Sequence, residues 1–366
     1  MKLKKHHIAL RIFAGLVGVS ALVATVSVWQ LRILPVTYIS IASLVGVLII
    51  GLLIKALWSK QERKLWAYGG LIIVGLLIIL ANVFTTMFAR SASSALSSAS
   101  STGTTSTNTN IKKPYVIYIS GIDTYGDIST TSRSDVNILA VVNPANKKVL
   151  LVTTPRDYYV QLHGTTGTKD KLTHAGIYGV EQSKQTLEDL YGVNIDYTVR
   201  INFDSLLKLV DTVGGVDVNS DVAFSAGGYT FVKGVNHLNA KQALVFARER
   251  HSFEDGDRQR GKDQEKVIEA LIAKLSQPQM ALKLPAILQA TNGSFQTNAS
   301  RDEINAIIKQ QISSAGSWSS ESISVDGTGS SAPTYSMGGQ LLYVMIPDYA
   351  TVEAAKAKIN SYRQNP

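Results

Sequence analysis

Three long runs without a charged side chain occupy the first quarter of the chain, and they decide what the rest of it can be. Twenty residues separate Arg11 from Arg32, 22 separate Arg32 from Lys55, and 25 separate Lys64 from Arg90. About 20 apolar residues rising 1.5 Å each cross a hydrocarbon core of roughly 30 Å. The spacing therefore predicts three transmembrane helices, over about 12–31, 33–54 and 66–89, and makes residues 1–90 a membrane region. A cleaved signal peptide does not fit: the first run is too long for the apolar part of one, and two more spans follow it.

The charge of the chain sorts itself along the same boundary. The formal net charge is +9, and residues 1–90 hold ten basic side chains against one acid, Glu62, so residues 91–366 are neutral with 26 of each sign. A basic total would invite a nucleic-acid partner, but here the whole excess flanks the membrane spans, and no nucleic acid is expected. Lysine and arginine mark cytoplasmic flanks. The segments MKLKKHHIALR and KALWSKQERK are rich in them, whereas the link QLRILP has only Arg32. The expected protein is a multi-pass cell-membrane protein with a cytoplasmic N-terminus and everything after Arg90 extracellular. Absence of cysteine suits an exported Gram-positive domain with no disulfide framework. Each cytoplasmic piece is only about a dozen residues, too short to fold a DNA-binding module. Residues 91–110, SASSALSSASSTGTTSTNTN, have too few apolar groups to bury and read as an extracellular Ser/Thr-rich tether.

From residue 111 the pattern changes to that of a folded domain. PYVIYISGID, DVNILAVVN and VLLVTTPRD have strand character, and the turn residues Asn143, Pro144 and Asn146 favour a tight antiparallel return. In such a meander the end of the first strand, the start of the second and the end of the third share one sheet edge. Asp123, Asp135 and Arg156 stand at those three places. Further on, GVEQSKQTLEDLYGV reads as a helix stopped by Gly192, IDYTVRINF as a strand, and DSLLKLVDTVGG as a helix capped by Asp204. VDVNSDVAF resumes as a strand, LNAKQALVFARER is a helix capped by Asn239, and QEKVIEALIAKL is a helix with Val267, Leu271 and Leu275 along one stripe. Strands alternating with helices predict a layered α/β domain with a mixed sheet. Its catalytic part is expected over 111–275, with 276–366 as a C-terminal extension packed on it.

Several motifs bear on chemistry. Magnesium uses one or two carboxylates and completes its shell with water and substrate phosphate oxygens, a demand that Asp123 and Asp135 meet; the ordinary alternative is that strand-end aspartates cap turns. Zinc is not expected: there is no cysteine, and the six histidines show no ligand spacing. Pro155 fixes the backbone just before Arg156, which otherwise would simply pair with Asp157 or Asp135. The stretch ARERHSFEDGDRQRGKDQ holds Arg248, Arg250, Arg258 and Arg260 among acids. Charge runs are usually solvated surface. Against that, arginine forks bind phosphate bidentately, Leu244 and Arg248 are i, i+4, and so are Arg260 and Gln264, on either side of an acidic bend HSFEDGDRQ. Neither the G-x-S-x-G of a serine hydrolase nor a G-x-x-x-x-G-K-[ST] phosphate loop occurs.

The ordered series YISGID, RSDVNILAVVNP, KKVLLVTTPRDYYV, KLTHAGIYG, RINFDSLLKLVDTVGGVDV and HLNAKQALVFARERHSFEDGDRQRGKDQEKVIEAL closely resembles the LytR-CpsA-Psr family, in particular its streptococcal-type capsule-associated members. The resemblance covers roughly 112–275 and implies a three-layer α/β/α domain with a mixed central sheet. It implies a phosphotransferase that moves a glycopolymer, capsular polysaccharide or a similar wall polymer, from a polyprenyl-pyrophosphate carrier to peptidoglycan. It makes Asp123 and Asp135 ligands of Mg2+, and Arg156, Arg248, Arg250, Arg260 and Gln264 ligands of the pyrophosphate; Arg258, where the family varies, is counted with them. Asp135 and Arg156 are then catalytic, and either Asp135 or Asp257 would serve as base. Donor glycan, peptidoglycan and other capsule-assembly proteins are the implied partners. Two rival readings are a pyrophosphatase for lipid-linked or nucleotide pyrophosphates and a non-enzymatic regulator or scaffold of capsule synthesis.

Overall fold

A computed structural model describes residues 2–32, 34, 36–58, 65–99, 113–122, 128, 131–253, 256–275, 277, 280, 283, 287, 295–313 and 318–364. The chain divides into two compact units, one of Met1–Ser94 with Asn305–Ser314, the other of Ala95–Ile304 with Ala315–Pro366.

In the first unit, α1 (Lys2–Leu31), α2 (Val36–Trp58) and α3 (Leu65–Ala99) contain apolar stretches of 23, 21 and 26 residues. Each is long enough to cross a bilayer. Their large apolar side chains point outward: Leu22 and Leu52 are each 67% exposed and Phe84 is 74% exposed. In water that arrangement would be costly, whereas in lipid it is the ground state. Small residues line the contact instead. Ala14 and Val17 of α1 are buried against Leu71 and Ile78 of α3, and a side chain at Gly75 would strike the Phe13 ring at 2.5 Å. Asn82 Nδ2 donates to Ser20 Oγ across the two helices at 3.1 Å. Helix α3 runs on through SASSALSSA to Ala99, so the first nine residues of the expected tether are helical. A helix already nucleated extends at one hydrogen bond per residue, and this stretch has no glycine or proline to stop it. The rest of the expected tether, 100–110, lies outside the described residues.

The second unit is built on a mixed six-stranded sheet. Strands β1 (Tyr115–Ile122), β2 (Val136–Asn143) and β3 (Lys148–Thr153) form the expected antiparallel meander. After a small ribbon, β4 (Tyr159–Val160) with β5 (Asp170–Lys171), come α4 (Leu172–Ala175) and α5 (Val180–Tyr191). Gly192, at φ 62°, ends α5 as the sequence suggests. Strand β6 (Tyr197–Asn202) then lies parallel to β1. The helix α6 (Phe203–Val213) is capped by Asn202, whose side chain accepts from the Ser205 amide, and not by Asp204. The chain turns helical directly at Phe203, one residue before the expected cap.

VDVNSDVAF divides into β7 (Val216–Ser220) and β8 (Phe224–Ala226), which pair with β10 (Gly234–Leu238) and β9 (Tyr229–Phe231) in small ribbons of their own. Next come α7 (Ala240–Arg248), closed by an Asn239–Gln242 capping box, and α8 (Gly256–Leu275). Helix α8 begins eight residues before the expected QEKVIEALIAKL, so much of the supposed acidic bend is its first turns. The C-terminal part supplies β11 (Phe295–Thr297), α9 (Arg301–Ser313), which belongs to the first unit from Asn305 on, β12 (Ser319–Ser324), the ribbon β13 (Gly327–Pro333) with β14 (Leu341–Pro347), and α10 (Tyr349–Arg363). The sheet order is β11-β6-β1-β2-β3-β12. Both edge strands therefore come from beyond residue 275, and that boundary does not separate a catalytic core from an added extension.

All eight residues of β2 are buried, and period-two alternation divides them between two cores. Val136, Ile138 and Ala140 pack with Leu206 and Val210 of α6, Phe246 of α7, and Val267 and Leu271 of α8. Leu139 and Val141 pack with Leu187 and Tyr191 of α5 and Val352 and Ile359 of α10. Covered on both faces, β2 reads as the near-continuous apolar run VNILAVV.

Candidate functional site

At one edge of the meander the strand ends converge as expected. Asp135 immediately precedes β2, and its amide donates to the Gly121 carbonyl near the end of β1 at 2.8 Å. Arg156 follows β3 by three residues, and its Nη1 donates to Asp135 Oδ1 at 2.7 Å. Both side chains are largely buried, 18% and 13% exposed, so this charge-assisted bond is stronger than a surface ion pair. A buried polar network holds the Asp135 backbone: Tyr118 Oη and Ser134 Oγ both donate to Asn137 Oδ1, at 2.6 and 2.8 Å. The Thr173 amide donates to the Arg156 carbonyl at 2.8 Å, and Asp157 ties Lys171 at 2.9 Å. Arg156 is thus aimed by its neighbours on both sides of the chain.

Helix α8 passes beside this pair and separates two hollows. One, of about 20 Å³, is lined by Asp135 and Gln264 with the apolar Ile122, Val136, Leu206 and Ile268. The other, of about 450 Å³, is lined by Arg156, Asp157, Lys262, Glu265, Glu269 and Tyr343, among others. The ion pair spans the boundary, with Asp135 facing the small hollow and Arg156 the large one. In the large hollow, Thr153 Oγ1 and Ser322 Oγ donate to Glu269 Oε1 at 2.9 and 2.5 Å. Burial first, and the neighbouring Glu269 second, hold the Glu265 carboxyl well above the usual range, against the pull of Lys262, Arg156 and Lys266. On the same helix, burial pushes Asp263 up to about 6 although Gln259 Nε2 donates to it at 2.9 Å.

The remaining expected residues have different standings. Gln264 is buried, 4% exposed, and shares the small hollow with Asp135. Arg260 is half-buried on α8. Arg248 ends α7 and is exposed; Arg250 lies two residues past that helix, also exposed, with its Nε toward His251 Nε2 at 3.3 Å. Neither lines the two hollows beside the ion pair. Leu244, one turn before Arg248 on α7, packs against the core. Asp123 lies outside the described residues, as do the side chains of Asp257 and Arg258. The sequence reading missed Glu265 and Glu269, whose i, i+4 spacing on α8 was the available signal. It also missed Arg200 of β6, 4% exposed, whose Nη1 donates to the Ile128 carbonyl at 3.1 Å in the connection from β1 to β2.

Asp135 fits one side of a magnesium site. Its carboxylate stands at a hollow's edge beside a guanidinium, and the ion needs only one or two protein carboxylates when phosphate oxygens complete its shell. Among the described residues no group of three His, Cys, Asp or Glu side chains could cage a metal without such a substrate.

Comparison with known proteins agrees with this architecture. The chain is 32% identical over 279 residues to the polyisoprenyl-teichoic acid–peptidoglycan teichoic acid transferase TagU of Enterococcus faecalis, covering 74% of this chain and 90% of that protein. The crystal structure of Bacillus subtilis TagV superposes with a TM-score of 0.57 at 29% identity, over 70% of this chain and 99% of that one. A structure of TagT bound to LI-WTA superposes with a TM-score of 0.51 at 25% identity, over 69% and 91%. The model of the LytR_cpsA_psr family matches residues 82–361, which takes in the meander, the ion pair, both hollows and the edge strands from beyond 275. The chain belongs to the LytR_cpsA_psr family.

Proposed function

We propose that this protein is a membrane-anchored phosphotransferase that moves a glycopolymer from a polyprenyl-pyrophosphate carrier to peptidoglycan. The polymer would be a capsular polysaccharide or a related wall polymer, such as the teichoic acid for which TagU is named. The observation that carries the reading is the Asp135–Arg156 pair at 2.7 Å, set between a small apolar-lined hollow and a large polar one. The N-terminus would be cytoplasmic and residues after the third helix extracellular.

Phosphoryl transfer depends on placing the reactants and stabilising charge as it moves to the leaving oxygen. Arg156, held by Asp135 and Asp157, lines the large hollow, where its guanidinium would bind a pyrophosphate oxygen. Gln264, which lines the small hollow with Asp135, would contact the donor from α8, with Arg260 one turn before it. Arg248, Arg250 and Arg258 would contact the donor from the α7–α8 connection. Asp123 and Asp135 would hold Mg2+, which would supply charge neutralisation on the pyrophosphate. A sugar hydroxyl of peptidoglycan attacks the phosphorus bearing the polymer, and polyprenyl phosphate leaves with the electrons of the broken P–O bond.

Full-length protein with Mg2+, a prenyl-pyrophosphoryl glycan and peptidoglycan should yield a covalent polymer–peptidoglycan product. Asp135→Ala should lower its rate by roughly 10²–10³-fold, the range seen when a charge-positioning group is removed. Equal product from both proteins would refute the transferase reading, and a product of free polymer phosphate alone would favour a pyrophosphatase.

A further inference from the structure

The large hollow carries more recognition chemistry than a pyrophosphate uses. Phosphate oxygens call for donors and cations, yet the α8 wall of this hollow presents the carboxylates of Glu265 and Glu269 beside the ammonium groups of Lys262 and Lys266. Glu265 is half-buried and lines the space, and among the described residues no side chain hydrogen-bonds to it. One turn on, Glu269 is held by Thr153 and Ser322. Across from them Tyr343 of β14 is 44% exposed, with the Lys171 ammonium 5.8 Å from its ring centre. A pyranose presents hydroxyl donors around its rim and C–H groups on its faces, so carboxylates and an aromatic ring answer its two kinds of surface. The volume, about 450 Å³, falls in the range of small-ligand sites. Arg156 also lines this hollow, so a sugar bound there would stand next to the group that holds the pyrophosphate.

We propose that this hollow is the acceptor subsite, binding a sugar of the peptidoglycan glycan strand with Tyr343 against its ring face and Glu265 receiving the proton of the attacking hydroxyl. The inference rests on the transferase reading above. As the hydroxyl oxygen forms its bond to the polymer-bearing phosphorus, its O–H bond breaks and the proton passes to the Glu265 carboxylate. The P–O bond to the bridging oxygen breaks in turn, and its electron pair stays on polyprenyl phosphate. Glu265 then returns its proton to solvent through the open hollow. Burial, with Glu269 beside it, raises the proton affinity of this carboxyl, the direction that strengthens a carboxylate as a base. Glu269, Lys262 and Lys266 on its own helix, with Arg156, Asp157 and Asp326 from the facing loops, are the charged groups around the same space.

The test uses full-length protein in detergent with Mg2+, a short-chain prenyl-pyrophosphoryl glycan as donor and soluble uncross-linked peptidoglycan strands as acceptor. Tyr343→Ala should raise the acceptor KM about tenfold while the donor KM stays put, and Tyr343→Phe should restore the wild-type value, since the ring and not the hydroxyl is used. Glu265→Gln should lower kcat by roughly 10²-fold or more and remove the acid limb of the kcat–pH profile. An unchanged acceptor KM in Tyr343→Ala, or a matching rise in the donor KM, would overturn the subsite. A Glu265→Gln enzyme that keeps its kcat and its acid limb would overturn the proton transfer. Wild-type protein that makes no covalent product would overturn the transferase reading itself, and that failure is distinct because it precedes any substitution.

Discussion

Asp263 shows how a single buried carboxyl is tuned by where its helix lies. It is fully buried and raised from 3.8 to about 6 by that burial, with Gln259, Lys266 and Lys262 only partly offsetting it. A carboxyl raised on folding holds a proton that the unfolded chain releases, so it stabilises the fold less as pH climbs from about 4 to about 6. Above that window the cost is on the order of 2–3 kcal/mol. Asn carries no charge to desolvate and keeps the acceptor for Gln259. Asp263→Asn should therefore raise thermal stability at pH 8 and lose most of that advantage at pH 4, as melting curves at the two values would show. Nothing in the string GKDQE marks Asp263 as the inward residue, because burial on α8 is set by the sheet beneath it. By contrast Asp135 and Arg156 were legible: strand direction alone brings their positions together, and the structure pairs them. Arg248 and Arg250 were less so, since an arginine count does not reveal that α7 ends at Arg248 and leaves both side chains exposed.

Elements obeyed their local signals where those signals were chemical and departed where the packing decided. Asn239 is the clear case of agreement. Its side chain accepts from the Gln242 amide at 3.0 Å and Gln242 Oε1 accepts from the Asn239 amide at 3.0 Å, a reciprocal cap at the start of α7. Asn239→Ala should cost about 1 kcal/mol of stability, read as a lower denaturation midpoint in detergent, while Asn239→Asp should cost less because it keeps the acceptor. The start of α6 went the other way. Asn202 and Asp204 are equally good caps on paper, and β6 ends in register with β1 at Ile122–Asn202, which leaves Asn202 as the last extended residue before the helix. The early start of α8 was hidden for a related reason: DGDRQRGKDQ is polar throughout, and helical periodicity is visible only where apolar residues repeat.

At the scale of the molecule, the sequence showed three helices long and apolar enough to cross a membrane, followed by an α/β domain, but not where that domain ends. Strand β12, SSESIS, is almost wholly exposed and carries neither apolar alternation nor a hydrophobic run, so no periodicity announces it. Yet it pairs with all six residues of β3 in parallel register, Ser319↔Lys148 through Ser324↔Thr153. At the other edge, β11 pairs with β6 from Phe295↔Ile201 to Thr297↔Val199. The C-terminal helix α10 places Val352, Ala355 and Ile359 against Leu139 and Val141 in one of the two cores. A chain ending at residue 275 would expose both sheet edges, uncover that core, and remove Ser322 and Tyr343 from the large hollow. Unpaired β3 and β6 would then present open backbone to other chains, a template for aggregation. Truncation after Leu275 should therefore give a product that aggregates or is rapidly degraded, with its N-terminal region still in the membrane fraction. Limited proteolysis of membranes holding the full-length and the truncated chains would check this. A truncated protein that resists protease after residue 111 as the full-length chain does would show that 276–366 is dispensable to the fold.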